Sequence, residues 1–315
     1  MTESNDLHVV FGASGGLGNA LIRELIAQGK RTRGVTRGGK ADVPDTVEMV
    51  AADATDAERV RLACKGAAVV YNCANAPYTN WPKEFPPIMQ GLIDGAAEAG
   101  AKFVFGDNLY MYGPVDGAMT EDLPNAATGH KGRTRTLLTK MLMEAHASGK
   151  LRATIGRGSD FYGAGVTNSA IGDRVIPAAL AGKTAQVIGD IDQPHTFAYT
   201  PDFARALIIL GEREEALGEI WHVPSAETIT VRVILEIVYE IAGKQTKVMS
   251  APKLLINAMA LINPMMRELK ETYYQWNRPF IVDHSKFEEA FGADVTPHRE
   301  ALKTTVDWFR GQVSG

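Results

Sequence analysis

The chain has 315 residues, 45% hydrophobic and 22% charged, with a net charge of −4 and a pI near 6.0. That length suits about two lobes of roughly 150 residues, and the mild acidity excludes a general phosphate-backbone binder such as a DNA protein. Its two cysteines, Cys64 and Cys73, follow no metal or disulfide spacing, so no metal site is expected and a reducing compartment is.

The first six residues, from Met1 to Asp6, are polar and lack the apolar stretch of a signal peptide, so a cytoplasmic location is expected. From Leu7 to about Ala153 short apolar runs alternate with amphipathic segments. Runs at 7–11, 32–35, 47–50, 68–71 and 102–105 read as strands. Leu17, Leu21 and Leu25, spaced four apart, mark the first helix between them. Strands apolar on both faces and alternating with helices specify an α/β fold, a doubly wound parallel sheet of Rossmann-like type.

The first run leads into Gly12-Ala13-Ser14-Gly15-Gly16-Leu17-Gly18 and then a helix. Glycines at 12, 15 and 18 allow a tight turn, close approach of a pyrophosphate and tight helix–strand packing, while the helix N-terminus offers free N–H groups. Gly12, Ser14, Gly15, Gly16, Leu17 and Gly18 are therefore expected at a dinucleotide. The second strand ends in Val35-Thr36-Arg37 with no acid. NAD sites place a carboxylate there for the ribose 2′-OH and NADP sites an arginine. Thr36 and Arg37 thus point to NADP over NAD, although Arg37 can also be read as a solvated loop residue.

Beyond Arg152 the pattern loosens into glycine-rich loops, helices and isolated strands such as 219–223. The tail from Ala251 reads as wholly helical, with Ser285 and Glu288 as a capping box and Thr296-Pro297 as a cap and N1 proline. The most apolar window, 254–266, is interrupted by Asn257, Asn263 and Pro264 and is too short to span a bilayer. Its residues Leu254, Leu255, Met259, Leu261, Met265 and Met266 either cover a cleft or form a homodimer face. With no long linker, the lobes are expected to interleave. Residues 1–155, joined by roughly 194–224, form the dinucleotide-binding domain; 156–193 and 225–315 form a smaller, mostly helical substrate lobe.

Together these residues resemble the extended short-chain dehydrogenase/reductase superfamily, in its NAD-dependent epimerase/dehydratase-like branch. The resemblance rests on the glycine spacing, Ala52-Asp53-Ala54, Asn72-Cys73-Ala74, Tyr112-Gly113-Pro114, Arg157 through Gly163, Tyr199 through Asp202, and Gly218 through Val223, in family order. It implies adenine contacts at Asp53 and Ala54 and cofactor contacts at Cys73, Ala74 and Asn75. The family's chemistry rests on a Ser or Thr, a Tyr, and a Lys four residues after the Tyr. This chain has Asn108, Lys131 and Arg135 at those positions.

Lys131 and Arg135, four apart on a helix, share a face and repel, so lysine is the group expected to lose its proton. A reductase using Asn108 as hydrogen-bond donor, Lys131 as proton donor and cofactor contact, Arg135 beside it and Tyr110 in reserve is coherent. The alternative is a non-catalytic NADP(H)-binding or redox-sensing protein; a scaffold would leave the glycine turn and Arg37 unexplained. Sugar-nucleotide members carry an arginine seven residues before the aspartate matching Asp202, and this chain has His195 there, which disfavours a diphosphosugar. Tyr78, Trp81, Tyr110, Phe161, Tyr162 and His195 are the candidate substrate contacts, and suit a small apolar carbonyl compound. No nucleic-acid or membrane partner is expected.

Overall fold

A computed structural model describes residues 6–313. The expectation for Met1 to Asn5 lies outside the described residues, as do the side chains of Leu255, Pro264, Met265 and Val313.

The first half alternates as the sequence requires. Strands β1 (Leu7–Phe11), β2 (Thr32–Thr36), β3 (Glu48–Ala51), β4 (Ala67–Asn72) and β5 (Lys102–Asp107) are separated by helices α1 (Gly16–Ala27), α2 (Ala57–Cys64) and α3 (Trp81–Glu98). A 3-10 turn (Tyr110–Tyr112), β6 (Ala118–Met119), α4 (His130–Ala147), β7 (Arg152–Arg157) and β8 (Asp160–Tyr162) follow. Then come α5 (Ile176–Leu180), β9 (Ala185–Ile188), β10 (Pro194–His195), β11 (Phe197–Tyr199), α6 (Thr200–Glu212) and β12 (Ile220–His222). The last third holds β13 (Ile229–Thr230), α7 (Val231–Ile241), β14 (Val248–Ala251), α8 (Lys253–Met259), α9 (Pro264–Thr272), β15 (Ile281–Val282), α10 (Ser285–Phe291) and α11 (His298–Val313).

Seven strands form one parallel sheet in the order β12-β7-β5-β4-β1-β2-β3. All five residues of β1 are buried, because helices cover both faces of a parallel sheet. One face packs Phe11, Val70, Phe103 and Ile155 against α3 and α4, and the other packs Val10, Tyr71 and Val104 against α1 and α6. A third cluster, with Tyr162, Ile176, Phe197, Ile234, Leu302 and Phe309, is the core of the later segments.

The strand order reverses at β1, between β4 and β2, and in such sheets ligands bind beyond the strands' C-terminal ends at that switch. Gly12, Asn72, Arg37 and Asn108 all sit at that end, one residue or less beyond their strands.

The tail departs from the wholly helical expectation. Ile281–Val282 pairs with Ala118–Met119, and Val248–Ala251, whose last residue begins the expected helical stretch, pairs with Ala185–Ile188. Two-residue strands carry no periodicity for a sequence to display. The capping box is also displaced: Asp283, not Ser285, accepts from the first amide of α10. The Thr296 hydroxyl is bonded to Asp202.

Candidate functional site

At the glycine turn, Gly12 has φ 85, and a Cβ there would lie 2.4 Å from the Cys73 carbonyl oxygen. A Cβ on Gly18 would lie 2.2 Å from the Gly12 oxygen. Both positions are closed to any side chain by backbone. Gly15 differs, since a Cβ there meets only the Gly12 oxygen at 3.4 Å, so its freedom serves the open side of the turn. Ser14 and Gly15 are exposed and Leu17 is buried beneath them. The helix has no acid in its first turn and no side-chain cap, and the amides of Gly16, Leu17 and Gly18 have no acceptor among the described residues. Free amides, positive potential and an open approach fit a pyrophosphate.

At the end of β2, Thr36 Oγ1 closes a short loop with Lys40, leaving Arg37 exposed at its start. Asp53 accepts from the Thr55 amide and hydroxyl, at 2.9 and 2.7 Å. Those bonds hold its carboxyl below the usual range, helped by the nearby Arg37 charge. Ala54 is half-buried beside it. Beyond β4 the chain is shaped by its own side chains: Asn72 accepts from the Ala74 amide at 3.1 Å and Asn75 from the Ala76 amide at 3.0 Å. Cys73 donates its amide to the Phe11 oxygen.

Asn108 and Lys131 are the part of the substituted triad that keeps polar groups at the site. Asn108 Oδ1 accepts from the Tyr110 amide at 3.1 Å, and its Nδ2 has no partner among the described residues. Lys131 is fully buried. Its ammonium lies 4.1 Å from the centre of the Tyr78 ring and is paired with Glu268 of α9. Burial pushes it down to about 8, against the pull of Glu271. His130 Nε2 lies 3.0 Å from Glu268 and Nδ1 2.5 Å from Glu271. His130, Glu268 and Glu271 each offer an atom within 4.8 Å of the others, and the Lys131 ammonium is the cation that sits against them.

Glu271 also caps α4. Its Oε1 accepts the Lys131 amide at 2.8 Å, because α4 opens on Gly129, which offers no side-chain cap. A Cβ on Gly129 would strike that carboxylate at 2.1 Å. Helix α9 thus lies over the start of α4 through Glu268 and Glu271, while Leu254, Met259 and Leu261 of the apolar window are exposed.

Arg135 corrects the expected repulsion. Its guanidinium is 3.2 Å from Asp107 and lies over Trp81 and Phe85, 4.3 and 4.4 Å from their ring centres. Asp107 also faces Arg157 at 3.7 Å. Arg135 is a neutralised charge inside the core, and the low pKa of Lys131 comes from burial instead.

Among the substrate candidates, Tyr78 lies over Lys131 and Tyr110 adjoins Tyr78. Their hydroxyls hydrogen-bond to each other, and burial pushes Tyr110 well above the usual phenol range. Tyr274 and Asp160 are close enough to be felt there. Trp81 belongs to the core, with Nε1 donating to the Ala76 oxygen at 3.1 Å and its ring stacked on Tyr110. Tyr162 is buried and bonded to His298 at 3.1 Å. His195 is buried too, 3.0 Å from Asp160 and stacked on Trp276. Phe161 is half-buried against Phe203. Tyr162, His195 and Trp81 thus support the walls and do not line an open surface.

Asp107, His130, Asp160, Glu268, Glu271 and Tyr274 were not legible as site residues. His130 and Asp107 adjoin Lys131 and Asn108 in sequence, which was the available signal; the others come from distant segments.

The family model described as NAD dependent epimerase/dehydratase family matches residues 8–223. A UDP-glucuronic acid 4-epimerase from Bacillus cereus, solved with UDP-glucuronic acid and NAD, superposes with TM-score 0.79 at 19% identity, covering 97% of this chain and 99% of that one. A dTDP-glucose 4,6-dehydratase from Streptomyces venezuelae, solved with NAD, gives 0.80 at 18% identity and 98% of both chains. At those identities the likeness shows the fold. An Arabidopsis thaliana 3beta-hydroxysteroid-dehydrogenase/decarboxylase is 22% identical over 303 residues, 85% of this chain; the chain spans 53% of that relative's length.

Proposed function

The chain belongs to the NAD-dependent epimerase/dehydratase family, and from that premise we propose that it is an NADP-dependent oxidoreductase interconverting a small apolar carbonyl compound and its alcohol. The observation that carries this reading is Lys131, a buried ammonium near 8 at the family's tyrosine position. Gly15 and the free amides of Gly16, Leu17 and Gly18 would hold the pyrophosphate of the dinucleotide, whose reduced form would supply the hydride for the carbonyl carbon.

The chain's own part is the proton. Lys131 Nζ gives it to the carbonyl oxygen, and a lysine near 8 both gives and regains a proton at neutral pH. Asn108 Nδ2 donates a hydrogen bond to the same oxygen. Glu268 and His130 lead from the ammonium to a ring whose side chain is 40% exposed, a route by which the proton is restored. Because Lys131 is fully buried and paired with Glu268, this reading requires that pair to open before substrate meets the ammonium. Tyr110, held protonated by burial, positions Tyr78. Arg135 takes no part in the proton transfer.

Arg37 supports the preference for NADP, with no acid at the end of β2 to hold a 2′-OH. The apolar substrate class is supported by the Tyr78, Tyr110 and Tyr274 rings, and by a relative named for a hydroxysteroid. NADPH absorbance followed across apolar ketones and aldehydes, with Lys131→Met in parallel, tests the reading. NADPH binding with no oxidation by any compound would leave the non-catalytic reading in its place.

A sugar-nucleotide epimerase or dehydratase is the second reading, favoured by the ligands of the solved structures. Against it, His195 is buried on Asp160 where a diphosphate would need an exposed cation. Titration of UDP-glucose into the NADPH complex separates the two, and micromolar binding would favour the sugar nucleotide.

A further inference from the structure

The apolar window 254–266 is only partly absorbed by the site. Helix α8 is apolar on two faces. Ile256 and Ala260 pack inward with Met266 and Tyr273. Leu254, Ala258 and Leu261, at i, i+4 and i+7, point outward, because the turns after α8 continue its winding through Asn263. Leu254 is 80% exposed, Leu261 79% and Ile262 88%. A second apolar face on a short surface helix is left without a partner, and clustered large exposed apolar side chains mark an interaction surface.

Charge selects the occupant. Helices α8 and α9 carry Lys253, Arg267 and Lys270, all exposed. Their two acids, Glu268 and Glu271, are turned inward, with side chains 12% and 18% exposed, against Lys131 and His130. The outer surface of this hairpin is therefore apolar and basic in a chain whose net charge is −4. A second copy of the chain would bring the basic residues of its matching face against these basic residues in a two-fold contact.

We propose that the α8–α9 hairpin docks on an anionic bilayer surface, inserting Leu254, Leu261 and Ile262 among the acyl chains while Lys253, Arg267 and Lys270 meet the headgroups. Apolar side chains flanked by lysine and arginine are the pattern of peripheral helices that lie in a membrane interface, and anionic lipids attract such basic residues. No described helix is long and apolar enough to cross a membrane, so the contact is one-sided. The proposal departs from the expectation of no membrane partner, and it stands independently of the proposed reaction.

Vesicle flotation tests it, using the full chain with phosphatidylcholine vesicles and with vesicles that also contain phosphatidylglycerol. The expected result is flotation with the anionic vesicles, weakened about tenfold or more by high salt or by omitting phosphatidylglycerol. Leu261→Asp with Ile262→Asp, both at exposed positions, should abolish flotation while the melting temperature and NADPH affinity stay unchanged. Lys253→Glu with Arg267→Glu should do the same. Wild-type protein that stays at the bottom with both vesicles, or variants that float as well as wild type, overturns the proposal. A concentration-dependent dimer lost on Leu261→Asp with Ile262→Asp also overturns it, and assigns the face to a second copy.

Discussion

Lys131 offers the sharpest perturbation, because its burial fixes both a rate effect and a stability effect. With a pKa near 8, the ammonium is about nine-tenths charged at pH 7 and about one-tenth at pH 9. Carbonyl reduction, which needs the charged form, should fall about tenfold per pH unit above 8, and alcohol oxidation, which needs the neutral form, should rise up to about 8 and level off above it. Glu268→Gln or Glu271→Gln removes an opposing charge, so the limb should move to lower pH by about one unit. Arg135→Met should leave the limb in place, since that guanidinium faces Asp107. Stability supplies a readout that needs no substrate. The folded pKa lies below the ordinary 10.5, so between about 8 and 10.5 the unfolded chain holds the extra proton and stability rises with pH. The rise amounts to about 3 kcal/mol at roughly 1.4 kcal/mol per unit. Urea unfolding of wild type and Lys131→Met at stepped pH values isolates it, because the buried tyrosines act equally on both. A difference that is flat across that window, or an alkaline rate limb that survives Lys131→Met, would refute the reasoning.

Asp107→Asn should cost about 3–5 kcal/mol in urea unfolding, because it strands the buried guanidinium groups of Arg135 and Arg157; a loss below about 1 kcal/mol would mean that water or another group already serves them. Arg37→Asp should lower NADPH affinity about ten- to a hundredfold and favour NADH, the worth of one charge-assisted bond; equal affinities of the unaltered protein for both cofactors would remove the NADP assignment. Gly15→Ala should leave the melting temperature near that of wild type but weaken NADPH binding, since its Cβ meets only one oxygen at 3.4 Å. Gly18→Ala should instead destabilise the fold, with its Cβ 2.2 Å from a carbonyl oxygen. If both variants melt alike, the division of labour in the turn is wrong.

The sheet was legible because burial on both faces leaves a continuous apolar run. The run at 7–11 matches β1, and that at 47–50 is one residue early because Glu48 and Ala51 are exposed edge positions. The second half was less legible for the opposite reason. Strands such as Pro194–His195 and Ile281–Val282 are two residues long and owe their existence to a partner strand. The glycine turn could be read because its constraints are local, backbone against backbone. The charges around Lys131 could not, since Glu268 and Glu271 reach it across more than a hundred positions of sequence. The same distance effect misassigned Arg135. Helical spacing puts it on one face with Lys131, but Asp107, Trp81 and Phe85 determine where its guanidinium rests.

Two of the departures from the family triad, Arg135 and Lys131, are of different physical kinds. Arg135 in a core would be an uncompensated charge costing several kcal/mol, and Asp107 offsets it from the end of the neighbouring strand. That pair is self-contained and asks for no ligand. Lys131 is different. Its ammonium is buried against a depressed pKa, so at neutral pH the fold carries a penalty of about 3 kcal/mol that a methionine of similar length would avoid. Packing alone would favour the methionine. Folds retain such local costs chiefly where a site needs the group. A lysine that served only to bind ribose or phosphate would do so better as a full, exposed charge. Its burial beneath Tyr78, which holds the pKa near 8, is what the proposed proton transfer draws on, once the Glu268 pairing has opened.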